Sequence, residues 1–191
     1  MSSIYIHEKI FDGQQFEQTP LPIGDYENCI FNNCNFAEKN LSEYKFITCT
    51  FNGCNLSLVK LSKTVLHDIT FKNCKMLGLR FETCNEFGLS FSFEDCQVNH
   101  CSFYKTKIKK TLFRNSQVQE TDFTECDLSG AIFDRCNLEH SVFEHSVLEK
   151  TDFRTSYNYS IDPEINRIRK AKFSVFGISG LLDKYDIEIE N

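Results

Sequence analysis

The chain has 191 residues, of which 41% are hydrophobic and 14% aromatic, which is enough for one domain with a substantial core. Its formal net charge of −6 and its pI near 5.4 argue against a general nucleic-acid-binding protein, because attraction to phosphates needs a basic surface. No apolar run approaches the roughly 20 residues that span a bilayer, and residues 1–9 lack the apolar region of a signal peptide. We therefore expect a cytoplasmic protein.

Apolar residues recur at every fifth position from Ile6 onward. From Ile6 to Phe91 this series has eighteen positions, of which only Glu86 is not apolar. From Phe93 to Phe153 the series resumes two residues out of step, and all thirteen positions are apolar. Neither the helical period of 3.6 residues nor the strand period of 2 keeps such a series on one side. The pattern predicts a coil that turns a corner every five residues, with the repeated residue at its centre.

The residue two places before each centre is predicted to point inward as well. All ten cysteines occupy this position, and the other residues that occupy it after Phe93 are Thr, Ser or Ala. The position therefore requires a small side chain, and we interpret the cysteines as reduced, buried apolar residues. Stacked pairs such as Cys29 with Cys49, or Cys34 with Cys54, are predicted to lie close enough for a disulfide, although a reducing cytosol argues against that bond.

Several segments match the repeat of the pentapeptide-repeat family. The closest are the five that begin at Cys34, Cys54, Thr121, Cys126 and Thr151, each with Asn or Asp next and Leu or Phe at the centre. The resemblance covers residues 6–155 and implies an all-β solenoid, a right-handed quadrilateral β-helix with four repeats in each coil. Residues twenty apart then stack at roughly 4.7–4.9 Å. We accordingly predict a β-helix over residues 1–155, with a register slip near residues 86–93.

After Phe153 the period fails, and residues 156–191 are predicted to form a helix-containing C-terminal cap. Asp162 to Ile168 resembles a helix with an N-cap and an early proline. Apolar residues between Phe173 and Tyr185 indicate a second short helix, and residues 186–190 alternate like a final strand. A solenoid needs such a cap, because its last coil would otherwise expose the core and a strand edge.

This tail resembles the C-terminal module of the quinolone-resistance (Qnr) and microcin-immunity proteins. The likeness lies in the Pro-Glu-Ile-Asn-Arg-Ile stretch from Pro163 to Ile168, the apolar helix and the terminal strand. It implies a tail-to-tail homodimer here, with a monomeric cap as the alternative. The residues expected to form the dimer contact are Phe173, Phe176, Leu181, Leu182, Tyr185, Ile187 and Ile189.

The sequence contains none of the motifs that usually carry catalysis or metal binding. A Cys-x-x-Cys pair, an HExxH motif, a Walker loop, a GxGxxG turn and a GxSxG elbow are all absent. The five histidines fall at positions that face outward. We therefore expect no enzyme activity, no catalytic residue, no cofactor and no metal.

Charge is distributed unevenly along the second half of the sequence. The segment from Lys105 to Arg114 carries five bases and no acid, whereas residues 117–153 carry nine acids and only two bases. Stacking twenty residues apart predicts ion pairs of Lys105 with Glu125, Lys107 with Asp127 and Arg114 with Asp134. Six acids are then left without a stacked base: Glu120, Asp122, Glu139, Glu144, Glu149 and Asp152.

The first four of these acids, Glu120, Asp122, Glu139 and Glu144, surround one edge of the predicted square. Such an edge is either a solvated surface without a role or a strip of carboxylates that imitates DNA phosphates. The Qnr and microcin-immunity resemblance favours the second interpretation, because those proteins protect DNA gyrase or topoisomerase IV from poisons as DNA mimics. It implies a cytoplasmic protein of antibiotic resistance or toxin immunity that binds gyrase and no nucleic acid. The alternative is an interaction scaffold unrelated to topoisomerases, with the slip or outer apolar residues as its contact surface.

Overall fold

The five-residue repeats form short extended segments joined by corners, and four repeats return the chain to the same side. The computed structural model describes residues 4–16, 20–188 and 190. Residues twenty apart pair in parallel on either side of the register slip, as in Phe31 with Phe51 and Phe113 with Phe133. The architecture is the predicted right-handed quadrilateral β-helix. None of the helices in the described ranges is long and apolar enough to cross a membrane.

Two sides of the coil are regular enough to form β-sheets. The strands in chain order are β1 Ile4–His7, β2 Ile10–Asp12, β3 Gly24–Glu27, β4 Ile30–Asn32, β5 Lys45–Ile47, β6 Thr50–Asn52, β7 Val65–His67, β8 Ile69–Lys72, β9 Phe91–Glu94, β10 Leu112–Arg114 and β11 Ile132–Asp134. One parallel sheet has the order β1-β3-β5-β7, and the other has the order β11-β10-β9-β8-β6-β4-β2. Isolated parallel bridges, such as Ser102 with Asp122, continue the same pairing on the other sides.

We name the four walls by the centres that stack in them. Wall A contains Phe11, Phe31, Phe51, Phe71, Phe93, Phe113, Phe133, Phe153 and Phe173. Wall B contains Phe16, Phe36, Leu56, Met76, Val98, Val118 and Leu138, and wall C contains Leu21, Leu41, Leu61, Phe81, Phe103, Phe123 and Phe143. Wall D contains Ile6, Tyr26, Phe46 and Leu66, followed by Ile108, Leu128, Leu148 and Ile168.

The interior is a set of stacked columns with little exposed surface, aromatic in wall A and in much of wall C and mostly aliphatic in walls B and D. In wall A the ring centroids of Phe93 and Phe113 are 4.9 Å apart, and those of Phe113 and Phe133 are 4.7 Å apart. Rings on neighbouring walls meet edge to face, as Phe123 and Phe133 do at 84°. Both arrangements are favourable for aromatic pairs. The centres of the repeats therefore form one continuous core along the rod.

At most corners, the residue two places after a centre has a left-handed backbone. The φ angles of Asn28, Glu120 and Lys150 are 53°, 51° and 61°. Such angles are uncommon for residues other than glycine. They are tolerated here because ladder hydrogen bonds hold the corners, as from the amide of Glu120 to the carbonyl of Glu139 at 2.9 Å. Corner side chains consequently project away from the rod.

The register slip is confined to a short stretch of the chain. Phe71 pairs with Phe93, twenty-two residues later, and Ile69 pairs with Phe91. Phe91 was predicted as a centre, but this pairing places it two positions before the centre Phe93. The amide of Asn85 still bonds the carbonyl of Thr64, and that of Ser90 bonds the carbonyl of Leu66. The two extra residues are therefore accommodated between Asn85 and Ser90.

The coil continues beyond Phe153, and the helix predicted over residues 162–168 is wrong. These residues form a turn, after which Arg167 bridges Val147 and Lys172 bridges Asp152. The side chain of Asn166 enters the inward position and donates to the carbonyl of Phe143. Asp162 closes the turn by accepting from the amide of Glu164 at 2.8 Å, which is the same local bond that would cap a helix. The division of the chain at residue 155 stays a prediction.

Beyond the last bridge, the residues that the structure describes form 3-10 turns and no strand. The predicted second helix is present as 3-10 segments at Val175–Leu181 and Asp183–Tyr185, and another 3-10 turn lies at Phe81–Thr83. The predicted terminal strand is wrong for Asp186, Ile187, Glu188 and Glu190, which are irregular. Ile189 lies outside the described residues. Alternation alone does not form a strand when no neighbouring strand pairs with it.

Candidate partner-binding surface

The four predicted acidic residues lie around the corner between walls B and C. Glu120 is the corner residue itself, and Glu139 follows the wall B centre of the next coil. Asp122 precedes a wall C centre and pairs with Val142, while Glu144 follows the wall C centre of the next coil. The register thus brings together residues separated by up to twenty-four positions. We call Glu120, Asp122, Glu139 and Glu144 the acidic edge.

The members of the acidic edge have different local roles. The carboxylate of Asp122 is half-buried and accepts from the amide of Thr124 at 2.8 Å, so it closes its own turn. Glu139 accepts from the Gln119 amide nitrogen at 2.6 Å. An oxygen of Glu120 lies 3.3 Å from the His100 ring, and within the described residues Glu144 has no ion pair. Three carboxylates therefore face outward, since Asp122 is engaged by the backbone.

Two acids that the sequence left without bases do have partners, which corrects that prediction. Glu149 lies 2.6 Å from Arg167, and Asp152 lies 2.7 Å from Arg154 and 3.6 Å from Lys172. Hydrogen bonding from Arg154 holds the pKa of Asp152 below its usual value. Arg167 and Lys172 were overlooked because the coil that contains them was predicted to be a helix and a cap. Glu149 and Asp152 are thus outside the unpaired acidic surface.

The other predicted ion pairs are present with one change of partner. Lys105 lies 3.5 Å from Glu125, and Arg114 lies 3.3 Å from Asp134. Asp127 pairs with Lys109 at 3.1 Å, although its backbone bridge is with Lys107, as the register predicted. In wall A the charges alternate from Lys72 to Glu94 and onward to Arg114 and Asp134. Wall A is therefore close to electrically neutral.

The register slip opens a cleft in wall D. In the described part of the chain, no backbone hydrogen bond joins residues 84–90 to residues 106–110. The resulting cavity is about 510 Å³, and its lining includes Glu82, Cys84, Phe87, Tyr104 and Lys107. Phe87 is 80% exposed at its rim. One carboxylate oxygen of Glu82 is buried without a hydrogen-bond partner among the described residues. This cleft is the principal departure from the regular coil.

An exposed apolar surface covers the C-terminal end. Phe176 is 99% exposed and Val175 is 84% exposed, and three further members, Ile178, Tyr185 and Ile187, are about half exposed. We call these five residues the apolar end. The predicted contact residues Phe176, Tyr185 and Ile187 belong to it, whereas Val175 was missed. The sequence signal for Val175 was its place beside Phe176 in a short apolar run.

The remaining predicted contact residues at this end serve the coil. Phe173 stacks on Phe153 with centroids 5.4 Å apart, so it is a wall A centre. Leu181 packs partly against the core, and Leu182 is half-buried. The backbone at Gly177 and at Gly180 packs directly against Tyr159. A side chain at either position would collide with that residue. The 3-10 turns therefore cover the last coil while the apolar end faces outward.

No group of His, Cys, Asp and Glu within the described ranges is arranged to hold a metal ion. All ten cysteines are free thiols, and nine of them are buried. The stacked pairs considered for disulfides are not bonded in the structure. Cys84, at the cleft, is the half-buried exception.

Comparison with known proteins identifies the repeat and its fold. The sequence matches the family described as the pentapeptide repeat region over residues 25–92 and 80–153. A trypsin-treated variant of QnrB1, a plasmid-mediated fluoroquinolone resistance protein, superposes with a TM-score of 0.60 at 16% identity, covering 100% of both chains. HetL, a pentapeptide repeat protein involved in heterocyst differentiation regulation from the cyanobacterium Nostoc sp. strain PCC 7120, gives 0.48 at 13% identity, covering 90% of this chain and 87% of HetL. No curated protein matches the sequence.

Proposed function

Because the chain belongs to the pentapeptide repeat family, we propose that it is a non-enzymatic protein that binds a type II topoisomerase and protects it from quinolones or peptide toxins. In this proposal the acidic edge occupies the DNA-binding groove of DNA gyrase or topoisomerase IV. The observation that carries the proposal is the outward placement of Glu120, Glu139 and Glu144 at one corner of the β-helix. The likeness to the QnrB1 variant supports the fold that such a protein needs.

The geometry of the acidic edge suits competition with DNA. Successive coils are about 4.8 Å apart, which is of the same order as the roughly 3.4 Å axial spacing of phosphates on one DNA strand. The backbone that carries these carboxylates is ordered before binding, which limits the entropy cost to the side chains, and the carboxylates complement a groove that attracts phosphates. The acidic edge therefore presents negative charges at a spacing similar to that of the phosphates that a DNA-binding groove recognises.

The apolar end supports a homodimer as the active form. Contiguous exposed apolar surface usually marks a protein contact, and here it lies at the end of the rod beyond the acidic edge. A two-fold contact at this end would place the acidic edges of the two copies on either side of the contact. The proposed active form is therefore a longer rod with its acidic surface at the centre.

The test is a gyrase supercoiling assay over a concentration series of purified protein, with and without a fluoroquinolone or a gyrase-poisoning peptide. We expect rescue at low concentration and inhibition at high concentration, because the protein competes with DNA as well as with the poison complex. A triple variant, Glu120→Lys, Glu139→Lys and Glu144→Lys, should raise the concentration for half rescue at least tenfold, since like charges placed together cost several kcal/mol.

A matched control variant has Lys at Glu8, Glu38 and Glu43, which are exposed corner residues of the other half. This control changes the net charge equally and should retain rescue. Equal loss in both triple variants would show a bulk charge effect and contradict the assignment of the acidic edge. If the folded wild-type protein has no effect with or without poison, the topoisomerase proposal is wrong.

A second candidate function is an interaction scaffold unrelated to topoisomerases. The observation that favours it is the cleft at the register slip, where Phe87 is 80% exposed beside a cavity of about 510 Å³. The supercoiling assay separates the two candidates, because a scaffold unrelated to topoisomerases gives no rescue of gyrase at any concentration. Where rescue is seen, Phe87→Ser should leave it unchanged, since the cleft is not the contact surface in the topoisomerase proposal.

A further inference from the structure

Basic residues that are far apart in the sequence share wall D in the C-terminal half of the rod. Lys107, Asp127, Val147 and Arg167 form one bridged column, so the run that begins at Lys105 meets the C-terminal coil. At the corner that follows wall D, backbone hydrogen bonds connect successive coils from Lys110 through Gly130 and Lys150 to the coil of Lys170. The seven bases on this surface are Lys107, Lys109, Lys110, Lys150, Arg167, Arg169 and Lys170, and all are exposed. We call them the basic wall.

The basic wall retains a large positive charge after its internal ion pairs are counted. Its two acids are Asp127, which pairs with Lys109 at 3.1 Å, and Glu149, which pairs with Arg167 at 2.6 Å. The other five bases have no acidic partner in the described part of the chain. Between Lys110 and Lys150 this corner column holds Gly130, which has no side chain, so no acidic group separates the two lysines there.

We propose that the basic wall binds the phosphate backbone of duplex DNA without sequence preference. The corner column from Lys110 to Lys170 spans three coils, or roughly 14 Å, over which one DNA strand carries about four phosphates. Left-handed corners direct these side chains outward, and guanidinium groups such as that of Arg169 suit phosphate geometry. The rod is then two-sided, with the acidic edge and the basic wall on different sides. This inference is independent of the topoisomerase proposal.

Duplex DNA fits this surface better than an anionic membrane does. Membrane-surface binding requires apolar side chains that enter the acyl boundary. Among the outward positions of wall D in this half, the only large apolar side chain is Val147, which is half-buried. The surface offers charge without an inserting group, as expected for contacts to phosphates. The overall charge of −6 does not prevent this, because at moderate ionic strength attraction acts within about a Debye length.

The test is fluorescence anisotropy of a labelled 20-base-pair duplex with the full chain, at about 50 to 200 mM salt. We expect binding at low salt that weakens steeply with added salt, with a log–log slope near −3 or steeper, since each neutralised phosphate contributes about −0.9. The variant Lys110→Glu, Lys150→Glu and Lys170→Glu should weaken binding at least tenfold and reduce the slope by about 3, about 1 for each lysine. Glutamate already occupies other corners, such as Glu120 and Glu125, so the fold should persist.

The matched control carries Glu at Lys60, Lys63 and Lys75, which are exposed lysines of the N-terminal half without ion pairs in the described chain. It has the same net charge as the test variant, and we expect it to keep most of the affinity. Equal weakening in both variants would overturn the proposal. Absence of binding by the wild-type protein at 50 mM salt would also overturn it, as would binding only to vesicles of anionic phospholipid. Circular dichroism on each variant confirms that the coil is intact.

Discussion

The inward position two places before each centre does more than accept a small residue. Thr121 donates to the carbonyl of Val98 at 2.9 Å, and Ser146 and Thr151 donate to the carbonyls of Phe123 and Leu128 at 2.7 and 2.9 Å. Each donor lies twenty-three residues after its acceptor, so the bonds tie one coil to the previous one. The sequence predicted the small size of this position but not its hydrogen bonds.

The cysteines follow the same pattern, which corrects their interpretation as purely apolar residues. The thiols of Cys54 and Cys74 lie 3.2 and 3.3 Å from the carbonyls of Phe31 and Phe51. Burial raises the pKa of Cys49 and Cys101 to about 12. The thiols of Cys49 and Cys101 therefore stay protonated at neutral pH and can act as weak donors to the carbonyls of Tyr26 and Met76. Cys, Ser and Thr at this position share a donor as well as a small volume, whereas Ile69, Leu79 and Ala131, which are buried at the same position, supply no side-chain donor.

A single hydroxyl at this position should have a measurable effect on stability. We expect Thr121→Val to lower the free energy of unfolding by about 1–3 kcal/mol, because the buried carbonyl of Val98 loses its donor while the shape is kept. Thr121→Ser, which retains the hydroxyl, is the control and should cost less. The measurement is urea unfolding followed by circular dichroism. A Thr121→Val protein as stable as the wild type would contradict a role for this bond.

At the scale of elements, the last coil and its cap show where the sequence was insufficient. The five-residue period was strong enough to predict the coil up to Phe153, because every buried centre shows in the sequence as an apolar residue at a fixed spacing. Beyond it, Asn158 and Pro163 stand at centre positions and Tyr159 and Ile161 are buried in their place. An Asp followed by Pro is typical of a helix start and of a turn, and only the pairing of Arg167 with Val147 decides between them. Long-range pairing of this kind is not readable from local residues.

The acidic edge was predictable for the same reason that the regular coil was. Its residues follow from a twenty-residue register, which is a property of the sequence alone. The half-buried state of Asp122 and the base near Glu149 were not predictable, because they depend on side-chain conformation and on the overlooked coil. The basic wall was missed likewise, since Arg169 and Lys170 lie in that coil.

The 3-10 cap is held to the last coil by a small charged cluster that should respond to acid. Lys184 lies 2.7 Å from both Asp162 and Glu164, and the Tyr185 hydroxyl donates to Glu164 at 2.9 Å. The hydrogen bond from Lys184 lowers the pKa of both carboxyl groups. Because both carboxyl groups have a lower pKa in the folded state, their ionised forms stabilise the folded cap. This stabilisation is complete above the unfolded-state pKa values, about 3.9 and 4.3, and is lost as the pH falls through the folded-state pKa values.

We therefore expect the cap to loosen below about pH 4 while the coil stays folded. Hydrogen exchange measured by mass spectrometry should show faster exchange in residues 175–185 at pH 3 than at pH 6, after correction for intrinsic rates. Lys184→Met should give fast exchange at both pH values, and Lys63→Met is the control for loss of a lysine. Protection that is unchanged by acid in the wild type would show that this cluster does not hold the cap.

At the scale of the molecule, the rod has one sealed core and two unequal ends. At the first coil Ile6, Phe11 and Phe16 are only partly buried, and Phe11 and Phe16 stack on the next coil with centroids 4.7 Å apart. At the other end the 3-10 turns cover the core, yet Phe176 and Val175 lie almost fully in solvent. Covering the core does not require these two side chains to be apolar. Their exposure is better accounted for by a contact with another protein surface.

If that surface is the same end of a second copy, charge at the apolar end should abolish the homodimer. We expect the wild-type protein to sediment as a dimer of the 22.3 kDa chain at micromolar concentration, and Val175→Asp with Phe176→Asp to sediment as a monomer. The reason is that a buried unpaired charge costs several kcal/mol, which exceeds what a small apolar contact gains. Phe87→Ser, which removes an 80% exposed aromatic from the wall of the rod, should remain dimeric. A monomeric wild type would refute the dimer, and a double variant that stays dimeric would place the contact on another surface.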